Sequence, residues 1–279
     1  MFSKLFKYEW KKTYLPCTLI CLLFVVLTGI GCFSVLVGNY EKLLAEDKTG
    51  LASIFMTLYF MAYFFVGMTM MVVIPYFFFY RYYKNLYTDQ GYLMHTLPVS
   101  KKSLLWTKLL VAVIWQVITP IVLFGCMILF VMCATMELPE MLGIDWGEFS
   151  REFGEAFGEI GITLSESGVK YIPAIIAGIL SFLIMPFQRY LFFYVAIGIG
   201  QLFKKYKLVM SFIILYLMNL AMNFIGRILS LPLIIAGNRE PEALTINIIF
   251  VVGFLLLAGL TVGEYFLNVY FLEKKVNLE

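Results

Sequence analysis

The sequence has little charge and almost no histidine. Lysine, arginine, aspartate and glutamate make up 14% of it, against roughly a quarter of an ordinary soluble domain. The single histidine, His95, cannot build a histidine metal site by itself. The five cysteines (Cys17, Cys21, Cys32, Cys126, Cys133) have no CxxC spacing and all fall in apolar runs. They read as small buried hydrophobes, not as disulfide partners or metal ligands. No GxxxxGK[ST] occurs, so this chain does not cradle nucleotide phosphates by that route. HExxH and GxSxG are missing too, which leaves a membrane protease or lipid hydrolase without its constellation. The basic residues follow the ends of apolar runs and form no stripe for nucleic acid. No removable signal peptide is apparent: the first apolar run is too long and lacks an Ala-x-Ala site. No internal repeat is visible.

What is present is apolar. The 279 residues are 62% hydrophobic and 18% aromatic, with a mean hydropathy of +0.89. That is the composition of an all-α integral membrane protein, whose main solvent is hydrocarbon. Six apolar runs are long enough to cross, at 14–37, 51–80, 104–136, 171–203, 208–237 and 245–271, and they make one transmembrane domain of residues 1–279. The fifth run is longer than a straight crossing requires, so a break near Gly226 or Pro232 with re-entry is expected there.

Two amphipathic segments flank the spans. In residues 1–12, Phe2, Phe6 and Trp10 recur at helical spacing among Lys4, Lys7, Lys11 and Lys12, as in a helix lying on anionic headgroups. Residues 137–170 are acidic, and within them Trp146, Phe149, Phe153, Phe157, Ile160 and Leu164 form an apolar stripe over 146–164. With both termini inside, fourteen lysines and arginines fall on the inner side, in 1–12, 81–108, 204–207 and the C-terminal tail. Five fall outside: Lys42, Lys48, Arg151, Lys170 and Arg239. This bias predicts cytoplasmic termini and an outer position for the acidic helix.

Three ionisable residues lie within spans: Arg189, Arg227 and Glu264. A charge at the bilayer centre costs ~2.5–3.5 kcal/mol on insertion scales, so each is expected to face protein or water. Two readings stay open. Either they line a pathway, or Glu264 pairs with an arginine to hold the bundle while Arg227 snorkels outward.

The stretch 87–100 is not a span, yet basic residues bracket it: Arg81 and Lys84 before, Lys101, Lys102 and Lys108 after. Gly91 permits a tight turn, Pro98 ends any preceding helix, and Ser100 is placed to cap the next one. Residues 90–108 (QGYLMHTLPVSKKSLLWTK) resemble the permease subunits of bacterial ABC exporters of the type-2 class. There a polar turn with an acidic residue and glycine precedes a Leu-Pro-Val-Ser-like step and a basic start to the third span. Residues 6–12 (FKYEWKK) resemble that family's interfacial elbow helix, and the six-span plan matches over essentially the whole length.

The resemblance implies a bacterial cytoplasmic membrane and a pair of permease chains, expected to be a homodimer. Each docks on a cytosolic ABC ATPase subunit that holds ATP and Mg, so this chain carries no cofactor and is not itself the enzyme. It further implies that residues near 82–98 form the coupling helix, with Asp89, Gln90, Gly91, Tyr92, Leu93 and His95 as the docking residues. The expected cargo is hydrophobic or amphipathic, a peptide above all. Two readings of other classes stand beside it: a membrane peptide sensor or immunity protein, and an ion-coupled secondary transporter using Arg189 and Glu264.

Overall fold

A computed structural model describes residues 2–37, 49–88, 91, 99–137, 151, 154–155, 168–203, 205–236 and 243–274. These contain six long helices: α1 (Phe2–Val37), α2 (Thr49–Tyr87), α3 (Lys101–Glu137), α4 (Gly168–Gly200), α5 (Lys207–Ala236) and α6 (Ala243–Lys274). No strand occurs among the described residues. All six are long and apolar enough to cross a membrane, the architecture of a multi-pass membrane protein. In hydrocarbon no water is available for backbone N–H and C=O groups, so a crossing segment must satisfy them within its own helix.

The helices overrun the apolar runs at most ends. The 39 residues of α2 rise about 58 Å at ~1.5 Å per residue, well beyond a ~30 Å hydrocarbon core. The basic N-terminal segment is not set off from the first span, because residues 2–37 form one helix. Nothing between Lys11 and Tyr14 breaks a helix, and Thr13 closes on the preceding turn through its hydroxyl, which donates to the Trp10 carbonyl at 3.1 Å. The fifth span is likewise continuous from Lys207 to Ala236, without the break expected near Gly226 or Pro232. Of the acidic segment 137–170, the apolar stripe of 146–164 lies outside the described residues. Arg151 and Glu155 are described there, helical and exposed, with an i,i+4 contact at 3.6 Å.

In α1 hydropathy does not mark the packed face, but small and weakly polar residues largely do. In α1 the buried positions are Glu9, Thr13, Cys17, Cys21, Phe24 and Thr28, with Gly31 next in phase. Leu15, Leu19, Leu22, Leu23, Val26 and Ile30 are exposed. Lipid tails are as apolar as leucine, so helices in a membrane meet through small and weakly polar residues that allow close approach.

The chain packs as two compact units. One contains residues 10–76 and 114–159. Its core stacks Tyr63 between Phe24 and Phe130, with ring centroids 4.8 and 5.1 Å apart, and the Thr28 and Tyr63 hydroxyls are hydrogen-bonded at 3.1 Å. A Cβ at Gly31 would overlap the Tyr59 hydroxyl and the Phe130 ring.

The other unit contains residues 1–9, 77–113 and 160–279. The C-terminal half of α4 forms its centre, with residues 190–197 all buried. Tyr194 stacks on Tyr82 of α2 at 3.6 Å between centroids, Phe79 meets Phe193 edge-on, and α5 and α6 pack against α4. At the start of α4 the Asn247 amide engages one helical step, donating to the Lys170 carbonyl at 2.6 Å and accepting from the Ala174 N–H at 3.2 Å. At its end, Gly200 lies so close to α5 that a Cβ would overlap Ser211, including its backbone Cα.

That last contact is testable. Gly200→Val is expected to lower the thermal unfolding midpoint of the detergent-solubilised chain by the equivalent of ~1–3 kcal/mol, the usual cost of overpacking. Gly29→Val is the control, since nothing lies within 4 Å of its Cβ position. Equal midpoints for the two variants would contradict the close α4–α5 approach.

Candidate functional site

The non-spanning stretch 88–100 is bounded by the end of α2 and the start of α3, and both boundaries are built locally. The Gly91 N–H donates to the Thr88 carbonyl at 2.6 Å, closing a turn directly after α2 around a buried glycine. At the far side the Ser103 N–H donates to Ser100 Oγ at 3.3 Å, and the Leu104 N–H donates to the Ser100 carbonyl at 3.1 Å. Ser100 is thus the N-cap of α3, as its position before the basic turn suggests. Asp89, Gln90, Tyr92, Leu93 and His95 lie outside the described residues.

A buried charge cluster ties these boundaries to α1. Glu9 is 2% exposed. Its Oε2 accepts from the Arg81 guanidinium at 3.0 Å, and its Oε1 accepts from the Lys108 ammonium at 2.7 Å. Arg81 belongs to the last turns of α2, Lys108 to the second turn of α3, and the three partners are 72 and 99 residues apart in sequence. Each carboxylate oxygen faces its own cation. The Lys108 side chain is more enclosed than that of Arg81, 5% against 17% exposed.

The arrangement fixes geometry more than it adds net stability. Burying ions costs solvation that the mutual attraction only roughly offsets, whereas removing the shared carboxylate takes a partner from both cations. Its consequence is that α1, the end of α2 and the start of α3 share one end of the unit, on either side of residues 88–100. The neighbouring Trp10 stacks on Trp115 within the other unit, with centroids 5.5 Å apart.

Sequence reasoning missed Glu9, which sits among four lysines and looks locally neutralised. The stripe of Glu9, Thr13, Cys17 and Cys21 at steps of four was the available signal, because it places the carboxylate on the packing face of α1.

The three intramembrane ionisable residues are not brought together. Arg227 is exposed on α5. Arg189 is half-buried, with its guanidinium carbon 5.9 Å from the Phe193 ring centroid. Among the described residues neither arginine pairs with Glu264, so the carboxylate–arginine tie, one of the two open readings, is not seen there. Gln188 takes that place, its Nε2 donating to Glu264 Oε1 at 3.4 Å. One residue along a helix is a rotation of about 100°, which aims Gln188 rather than Arg189 at α6. Asn268, one turn beyond Glu264, donates from Nδ2 to the Leu191 carbonyl at 3.0 Å and to the Glu264 carbonyl at 2.9 Å. Asn219 and Asn223 of α5 are exposed, and each donates back to its own helix, to the carbonyls of Leu215 and Asn219. No group of three or more metal-ligating side chains occurs among the described residues.

No protein-family model, curated protein or solved structure matches this chain.

The charge cluster predicts an ordered mutational series. Glu9→Ala removes the anion between the buried Lys108 and the partly exposed Arg81 and is expected to destabilise the chain by ~3–5 kcal/mol. Lys108→Ala is expected to cost more than Arg81→Ala, because the lysine is the more enclosed partner. Thermal unfolding of the three variants in one detergent checks the order. A Glu9→Ala chain as stable as the native one would show that the carboxylate is not held between cations.

Proposed function

We propose that the chain is the transmembrane permease subunit of an ATP-driven exporter of the type-2 ABC class. Its working unit is a pair of permease chains in a bacterial cytoplasmic membrane, with both termini and residues 88–100 on the cytosolic side. ATP and Mg are held by a separate cytosolic ATPase, and its movement reaches the spans through the segment that contains Asp89, Gln90, Gly91, Tyr92, Leu93 and His95. The cargo is a hydrophobic or amphipathic molecule, a peptide by preference, that reaches the transporter from the lipid phase.

The observation that supports this reading best is the Glu9–Arg81–Lys108 cluster. A segment that receives force from a soluble motor needs stiff flanks, and charges buried against each other give a geometry with little freedom. The cluster joins both flanks of residues 88–100 to a third helix. A peptide sensor or immunity protein needs no such mount for a cytosolic loop. The resemblance of residues 90–108 to type-2 permeases and the six-helix plan point the same way.

The test is co-purification in mild detergent from the source cells. The native chain is expected to bring down an ATP-binding subunit, and a chain with Asp89, Tyr92 and Leu93 all changed to Ala is expected to lose it while keeping its thermal midpoint. If well-folded native chain brings down no ATPase, the exporter reading fails and the sensor or ion-coupled reading replaces it.

A further inference from the structure

The seam between α4 and α6 contains two buried acceptor atoms without a donor. Glu264 is 6% exposed and Asn268 is 1% exposed. Glu264 Oε2 and Asn268 Oδ1 have no hydrogen-bond partner among the described residues. The orientation of the Asn268 amide is settled by its neighbours. Its nitrogen lies against two carbonyl oxygens, those of Leu191 and Glu264, which only a donor can satisfy. The amide oxygen must therefore point the other way, and it lacks a proton to accept. Glu264 Oε1 already accepts from Gln188, which leaves Oε2 as the other unserved atom.

Both orphans are acceptors as long as Glu264 is a carboxylate. One added proton changes this: a protonated Oε2 becomes a donor, and the unserved Asn268 Oδ1 belongs to the residue one turn along the same helix. An O–H···O bond between them would satisfy both atoms. The surroundings favour the neutral form as well. No ion pair reaches Glu264 among the described residues. On α4 the charged side chains are Lys170 at its start and Arg189, which lies at the Phe193 ring. On α5 they are Lys207 at its start and the exposed Arg227. From α3, Trp106 meets Tyr265 beside the site, and the nearest cation in that helix's sequence, Lys108, is bonded to Glu9. A buried carboxylate without a cation is far more costly than a buried neutral acid with its hydrogen bonds made.

We infer that Glu264 is a proton-binding site within the membrane, holding its proton on Oε2 for the Asn268 amide oxygen and so closing the α4–α6 seam. The ligand is the proton itself, and the inference does not depend on the exporter reading. Loss of the proton leaves a bare carboxylate in the seam, so closure of α4 against α6 becomes sensitive to pH.

The experiment uses the purified full chain in lipid nanodiscs, beside Glu264→Gln, which has the shape and neutrality of the protonated acid. Infrared spectra at neutral pH are expected to contain the C=O stretch of a neutral carboxylic acid that disappears in Glu264→Gln. The thermal midpoint of the native chain is expected to fall more steeply than that of Glu264→Gln as pH is raised from acid to alkaline, with Glu264→Gln at least as stable as the native chain throughout. Absence of that infrared band overturns the proposal, as does a Glu264→Gln chain that is less stable or fails to fold. A midpoint raised by added sodium or potassium in the native chain but not in Glu264→Gln also overturns it, since the site would then take a metal cation instead.

Discussion

A carboxylate withdrawn from water must be matched by positive charge, and Glu9 is matched twice. Its two oxygens are each committed to a different cation, one at the end of α2 and one near the start of α3. A single ion pair would join two helices and leave a hinge. With three charged groups on three helices, Glu9 engages both cations at once and cannot turn away without giving up both contacts. α1 continues as one helix through its basic segment. The phase that buries Thr13, Cys17 and Cys21 also points Glu9 inward. Directly after α2 the Gly91 N–H donates to the Thr88 carbonyl, and Ser100 caps the start of α3.

Elsewhere the hydrocarbon solvent determines how the helices meet. Burial of leucine against leucine gains little when lipid offers the same contact, so the seams are made by close approach and by amides. Gly200 admits Ser211, and the Asn247 and Asn268 side chains donate to carbonyls of α4. Aromatic rings fill what remains, as in the stack of Tyr82 on Tyr194. Many other large aliphatic and aromatic residues are exposed, among them Phe65 and Phe182, both more than two-thirds exposed. On a water-soluble protein such a surface would aggregate; here it is the face offered to lipid.

The six long apolar helices are legible in the sequence, because a run of some twenty apolar residues has few other uses. So is the start of α3, since Ser100 precedes two lysines and a long apolar run. The faces are much harder to read. When every position of a helix is apolar, hydropathy carries no phase, and choosing between Gln188 and Arg189 as the partner of Glu264 is a choice of phase. Charge also drew attention to the arginine, although in this seam the neutral amide is the residue that faces the carboxyl group. Glu9 was hidden by its neighbours, and its partners lie 72 and 99 residues away. The alternation of small with bulky aliphatic residues does carry the phase of α1, and it is a better guide in membrane helices than hydropathy.

The central claim is that the Glu9 cluster holds the two flanks of residues 88–100 in one geometry. Amide hydrogen exchange of the native chain and of Glu9→Gln, in the same detergent, tests it most directly. The account predicts faster exchange in Glu9→Gln at residues 81–88 and 101–108, with residues 168–200 and 243–274 little changed. Unchanged exchange at those flanks, or an acceleration spread evenly over all six helices, would contradict it.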